Sequence, residues 1–205
     1  MSSLSQNKVA IFDLGNVVLD WDVDRVLDSL DLEAEVLTLL RKELFFHRDW
    51  LEMDRGTVSE TAVVSNISKR SPLQKNAVKK AILAAKNSLQ PIPETIKLME
   101  DISNNGIKMF CLSNMSRETY AHIKNMEFFG MFRDIIISGI TGCMKPSEDI
   151  FRLAIDRFEL DPSCSLFIDD SLPNIETARR LGIKGFHFKG SHSCYKGIRS
   201  RLLHG

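Results

Sequence analysis

The stretch Ile11-Phe12-Asp13-Leu14-Gly15-Asn16-Val17-Val18 decides how the rest of this chain is read. An apolar run, Val9-Ala10-Ile11-Phe12, stops on a carboxylate, and a glycine follows two residues later. A run bounded in this way reads as a strand buried on both faces of a parallel sheet. Ligands of open α/β sheets bind just beyond the carboxyl ends of the strands. That places Asp13 where chemistry would be done and gives Gly15 the task of turning the backbone sharply. The plain alternative is a loop aspartate that caps the following helix.

Working outward, strands and helices alternate from residue 91 onward. The sequence predicts strands over 107–112, 134–138, 165–168 and 184–188, and helices over 94–105, 117–126, 148–158, 173–181 and 195–203. Gly106 and Gly182 fit helix C-caps. Strands separated by helices of this length imply a doubly wound parallel α/β sheet. Between about residues 20 and 90 the periodicity is helical throughout, with a break at Arg55-Gly56-Thr57-Val58 and an N-cap at Ser59. Pro91-Ile92-Pro93 closes that region. The expected organisation is an α/β core of residues 1–19 and 91–205, split after its first strand by a helical insert over 20–90.

Composition narrows the function classes. With 205 residues, 43% apolar content and 26% charged content, the chain suits one soluble core plus a smaller insert. Its formal net charge is zero, which argues against nucleic acid as a partner. No segment reaches membrane-spanning length, and residues 1–7 show no apolar leader. Cys111, Cys143, Cys164 and Cys194 are scattered without CxxC spacing, which favours reduced thiols. The expected location is cytoplasmic; the oligomeric state is left open.

Three predicted strands end on small polar or acidic residues: Asp13, Ser113-Asn114 and Asp169-Asp170. In a parallel sheet these ends converge. Lys145, in Met144-Lys145-Pro146, follows the strand ending at Ser138 and approaches the same edge by a loop. This set suits phosphoryl transfer with Mg²⁺, which takes a few carboxylates plus substrate oxygens. Asp13 has the chemistry to attack phosphorus as a carboxylate nucleophile, and Ser113, the Asn114 main-chain N–H and Lys145 have the chemistry to hold the transferring oxygens. Each residue alone also has a plain reading: Ser113-Asn114 as a turn, Lys145 as a surface lysine. The acidic pair resists one, because adjacent carboxylates repel unless a cation or donors separate them.

Ile-Phe-Asp13-Leu-Gly-Asn-Val, Leu-Ser113-Asn114, Lys145-Pro and Phe-Ile-Asp169-Asp170 with Asn174 resemble, in order, the four motifs of the haloacid dehalogenase superfamily. The resemblance spans nearly the whole chain. It implies a Rossmann-like core with a small helical cap, and a Mg²⁺-dependent hydrolase of a small phosphorylated metabolite. It also implies roles. Asp13 would be nucleophile and metal ligand, with the Gly15 carbonyl, Asp169 and Asp170 completing the metal site. Ser113 and Lys145 would bind the phosphoryl group, with Asn114 and Asn174 beside them. Of the two aspartates, Asp170 would lie nearer the metal, supported by Asp169 and Asn174.

One departure is informative. Phosphatases of this superfamily carry an aspartate two residues after the nucleophile as general acid and base, and here that position is Gly15. General acid catalysis is worth about 10²–10⁴-fold. Asp-Leu-Gly-Asn-Val is nonetheless similar to the glucose-1-phosphate phosphatase-like branch, and the stretch 52–59 resembles both that branch and the phosphatase domain of soluble epoxide hydrolases. Two other readings follow: a catalytically weak phospho-ligand binder that regulates a partner, and a 2-haloacid dehalogenase, which would release halide. Specificity is expected from the cap, with Trp21, His47, Arg48, Trp50 and Arg55 as candidate contacts. For each, an ordinary structural role is the alternative: tryptophans packing the cap core, or Arg55 pairing with Asp54 or Glu52.

Overall fold

β1 (Val9–Phe12) is the central strand, flanked on both sides by strands made much later in the chain. The computed structural model describes residues 8–203, so the reading of residues 1–7 lies outside it. The remaining strands are β2 (Leu19–Asp20), β3 (Gln90–Pro91), β4 (Lys108–Ser113), β5 (Asp134–Ile137), β6 (Ser165–Asp169) and β7 (Lys184–His187). Five of them form a parallel sheet in the order β5-β4-β1-β6-β7. Register places Phe12 opposite both Cys111 and Ile168, so the chain leaves β1, β4 and β6 at nearly one level. That alignment brings Asp13, Ser113 and Asp169 together.

Period-two alternation sorts the sheet's side chains into two layers. Ala10, Phe12, Met109, Cys111, Leu166 and Ile168 face one side. There α6 (Pro93–Asn104) and α11 (His192–Leu203) supply Leu98, Met99, Ile102, Ile198 and Leu202. Ile11, Phe110, Leu112, Ile136 and Phe167 face the other side, against α9 (Glu148–Arg157) and α10 (Leu172–Arg180). The expected α/β architecture with helices on both faces is therefore present.

Residues 23–88 carry α1 (Val23–Asp28), α2 (Ala34–Leu40, continued by a wide turn over Arg41–Phe45), α3 (Arg48–Arg55), α4 (Glu60–Arg70) and α5 (Lys75–Ser88). They enclose a separate apolar cluster that includes Val26, Leu40, Leu44, Val63, Ile67, Val78 and Ala81. Trp21 packs against both this cluster and the sheet's core. Ser59 caps α4 by accepting from the Ala62 N–H, as its position suggests.

The structure corrects the sequence reading in four places. First, β2 and β3 pair as a short antiparallel ribbon where the chain enters and leaves this helical region, whose sequence shows no strand signal. Two-residue strands, one of them containing proline, have no periodicity to detect. Second, Ser138 does not end β5 but opens α8 (Ser138–Thr141), a single turn after which Gly142 takes φ +80°. Third, the tight turn after β1 does not depend on Gly15. The left-handed residue is Asn16, at φ +54°, a conformation asparagine tolerates better than most residues. Fourth, the predicted 117–126 helix is shorter, as α7 (Arg117–Ile123).

α3 docks on the sheet domain through α8. Gly56, at φ +83°, ends α3, and a Cβ there would collide with the Gly139 carbonyl. The Ser138 hydroxyl donates to the Asp54 carbonyl and accepts from the Met115 N–H at 2.9 Å. Gly56→Ala therefore combines left-handed strain with a backbone collision. It is expected to cost on the order of 1–3 kcal/mol, lowering Tm by about 2–4 °C per kcal/mol at this size. Gly106→Ala, left-handed at φ +71° but in open space, is the control in the same thermal melt and should lose less.

Candidate active site

Each acidic or polar group of the site sits where an apolar strand gives out. β1 delivers Asp13, which is 8% exposed; β4 delivers Ser113, 1% exposed; β6 delivers Asp169, 0% exposed. Asp170, the next residue, is only partly buried. Lys145 comes from the loop between α8 and α9 and is 2% exposed, which removes the surface-lysine reading. Its Nζ lies 2.9 Å from Asp13 Oδ1 and 2.7 Å from Asp169 Oδ2, and 5.4 Å from the Phe167 ring centroid.

Asn114 explains how a loop lysine is held so firmly. Its Nδ2 donates to the Lys145 carbonyl and its Oδ1 accepts from the Lys145 N–H, both at 2.8 Å. The Asn174 amide donates to Asp169 Oδ1 and Oδ2 at 3.0 and 3.1 Å. Asp169 Oδ1 also accepts from the Ser171 N–H at 2.8 Å. Both oxygens of Asp169 are thus committed to donors of the protein. Asp170 receives only a long 3.4 Å contact from Asn16 Nδ2. The Ser113 hydroxyl has no hydrogen-bond partner among the described residues.

The electrostatics leave a deficit of positive charge. Asp13, Asp169 and Asp170 present oxygens that all lie within 4.8 Å of one another. One ammonium cannot neutralise three carboxylates. Burial pushes the Asp13 carboxyl up to about 7; Lys145 opposes this and Asp169 reinforces it. Burial, and then Asp169, raise Asp170. Burial pulls Lys145 down, but Asp13 and Asp169 more than offset it and hold the ammonium above its usual range. A cluster of hard oxygen donors short of cation suits a divalent metal of the Mg²⁺ type.

Two recesses meet at Asn114. One is lined by Arg55, Asn114, Lys145, Ser171 and Asn174, among others. Arg55 is exposed at its rim and makes no ion pair among the described residues, with either Asp54 or Glu52. The other is largely apolar, with Leu19, Trp21, Trp50, Leu89 and Met115 beside Gly15, Asn114 and Asp54. Trp21 and Trp50 stack there at 5.7 Å between centroids, so they pack the helical region and wall the recess at once. His47 lines neither recess and caps α3 by accepting from the Asp49 N–H. Arg48 pairs with Glu52 at 3.2 Å on the rim. Asp54, which the sequence offered only as a partner for Arg55, lines the apolar recess.

Comparisons with known proteins agree with this fold. The family model for haloacid dehalogenase-like hydrolases matches residues 8–182. A sesquiterpene phosphatase, astK, of Aspergillus oryzae is 21% identical over 185 residues, covering 90% of this chain and 91% of its own. A haloacid dehalogenase family enzyme of Bacteroides thetaiotaomicron, bt-2542, solved with magnesium and inorganic phosphate, superposes with a TM-score of 0.73 at 20% identity, covering 90% of this chain and 96% of its own. A predicted hydrolase of the same kind from Porphyromonas gingivalis gives 0.75 at 22% identity, covering 98% and 99%.

Proposed function

Because this chain belongs to the haloacid dehalogenase-like hydrolase family, we propose that it is a Mg²⁺-dependent phosphatase of a small phosphorylated metabolite, working through an aspartyl-phosphate. The observation that carries this reading is the buried Asp13–Lys145–Asp169 triad, with Asp170 left open beside it. Asp13 is the nucleophile. Its free oxygen, the Asp170 carboxylate and the Gly15 carbonyl would hold the metal, while Asp169 positions Lys145. A bound Mg²⁺ would neutralise charge on the phosphoryl oxygens. Ser113, the Asn114 main-chain N–H and Lys145 bind the same oxygens, and Arg55 reaches toward the substrate from the cleft rim.

Residues 20–90 act as a cap over a core of residues 1–19 and 91–205, excluding water during chemistry. The apolar recess holds the alcohol part of the ester. Its walls of Trp21, Trp50, Leu19 and Met115 suit a hydrocarbon-faced alcohol better than a free sugar, consistent with the sesquiterpene phosphatase relative.

The test is phosphate release from a panel of terpenyl, sugar and nucleotide phosphates, with and without Mg²⁺. Metal-dependent turnover of at least one ester is expected; halide release from a 2-haloacid without phosphatase activity would sink the proposal. Mg²⁺ should also stabilise the wild type at pH 8, by about 2.7 kcal/mol at a hundredfold excess over Kd, read as a rise in Tm. Asp170→Asn should lose most of that shift.

A further inference from the structure

The alcohol leaving phosphorus needs a proton, and Gly15 has none to give. Sterics are not the reason. A Cβ at Gly15 would meet nothing within 4 Å. The same recess already has an acid: Asp54, from the last turn of α3, lines it together with Gly15, Asn114, Trp21 and Trp50.

Asp54 differs from the other acids of α2–α4 that lie inward of the surface. Glu43 and Asp49 pair with Arg70, Glu52 with Arg48, and Glu60 with Lys86. Asp54 has no cationic partner among the described residues. Lys86, the other charged residue lining this recess, is committed to Glu60. The Asp54 carboxyl meets only the Ser116 backbone N–H, and burial outweighs that bond to push it up to about 7. Its backbone is fixed, because the Ser138 hydroxyl donates to the Asp54 carbonyl. A carboxyl that is uncompensated, bonded to a backbone N–H and carried by a residue lining a recess beside the nucleophile's loop has the properties of a general acid and base.

We propose that Asp54, carried by the cap, is the catalytic acid and base that position 15 lacks. This rests on the phosphatase reading. In the first half-reaction an Asp13 oxygen bonds to phosphorus as the bond from phosphorus to the substrate oxygen breaks. The Asp54 proton passes to that oxygen, so a neutral alcohol leaves and Asp54 becomes a carboxylate. In the second half-reaction Asp54 takes a proton from water, whose oxygen bonds to phosphorus. The Asp13–phosphorus bond breaks, inorganic phosphate departs, and Asp54 is protonated again. Catalysis then requires the cap to be seated, since the acid travels with it.

The experiment compares kcat/KM for an alkyl phosphate and for p-nitrophenyl phosphate, whose leaving group needs no proton. Asp54→Asn should shift the ratio of the two constants by about 10²–10⁴-fold against the alkyl ester. Adding Gly15→Asp to that variant should recover part of the ratio. If Asp54→Asn does not fold, Asp54→Ser carries the same comparison. An unchanged ratio, with both constants falling equally or not at all, overturns the inference and leaves the phosphatase reading standing. A wild-type protein inert toward both esters overturns the phosphatase reading and this inference with it.

Discussion

Asp13→Asn is expected to abolish phosphate release, with kcat/KM falling about 10⁴-fold or more, as when a covalent nucleophile is removed elsewhere. The amide preserves the shape of the carboxylate and can still accept from the Leu14 N–H, which lies 2.7 Å from Asp13 Oδ1. The same variant should not be less stable. Because burial pushes the Asp13 carboxyl up to about 7 from its ordinary 3.8, the native state holds more protons between those values. Stability of the metal-free wild type therefore falls as pH rises through about 7. Asn carries no such penalty. Melts at pH 5 and pH 8 without metal should show the variant gaining on the wild type at the higher pH. Residual turnover at wild-type rates would exclude Asp13 as nucleophile.

Lys145→Met should damage both stability and activity. Lys145 is fully enclosed and ion-paired to two carboxylates that are themselves buried. Removing one partner of a buried pair strands the other, at a cost of about 3–5 kcal/mol. For a chain of this length that is a drop in Tm of about 6–20 °C. Methionine fills much of the volume, so the loss would report charge rather than a cavity. Acidification should narrow the gap, because the Asp13 carboxyl, already pushed up to about 7 by burial, can then take up a proton. A variant that melts within a degree or two of the wild type at pH 8 would contradict the electrostatic account.

Most of the sheet and the candidate-site residues at its strand ends were legible in the sequence for one physical reason. A strand buried on both faces must be an apolar run, and where it ends on Asp13, Ser113 or Asp169 the polar residue stands out. Lys145 could be placed near them because its loop follows the adjoining strand. Asp54 had no such contrast. It sits among Glu52, Met53 and Arg55 on an amphipathic helix, where an acid normally faces water, and only the seating of α3 on α8 turns it inward. α8 was itself unreadable, because Ser138-Gly-Ile-Thr is too short to show a period. Gly15 was given the turn by its type alone, whereas the strained position fell one residue later, on Asn16. Side chains that act by holding others, such as Asn114 on the Lys145 backbone, carry no pattern in one dimension.

The sheet order has a consequence for synthesis. β1 lies at the centre, but its neighbours β4 and β6 are separated from it by about a hundred or more residues of chain. During translation the helices of residues 23–88 emerge complete, with their own apolar cluster, while Val9–Phe12 still has both hydrogen-bonding edges open. Long-range pairings of this kind form slowly, and unpaired apolar strands invite association with other chains. The nascent polypeptide therefore passes through a stage with a finished helical region and an unsheltered central strand. Chaperone demand should peak there, ending only once Asp169 has cleared the ribosome.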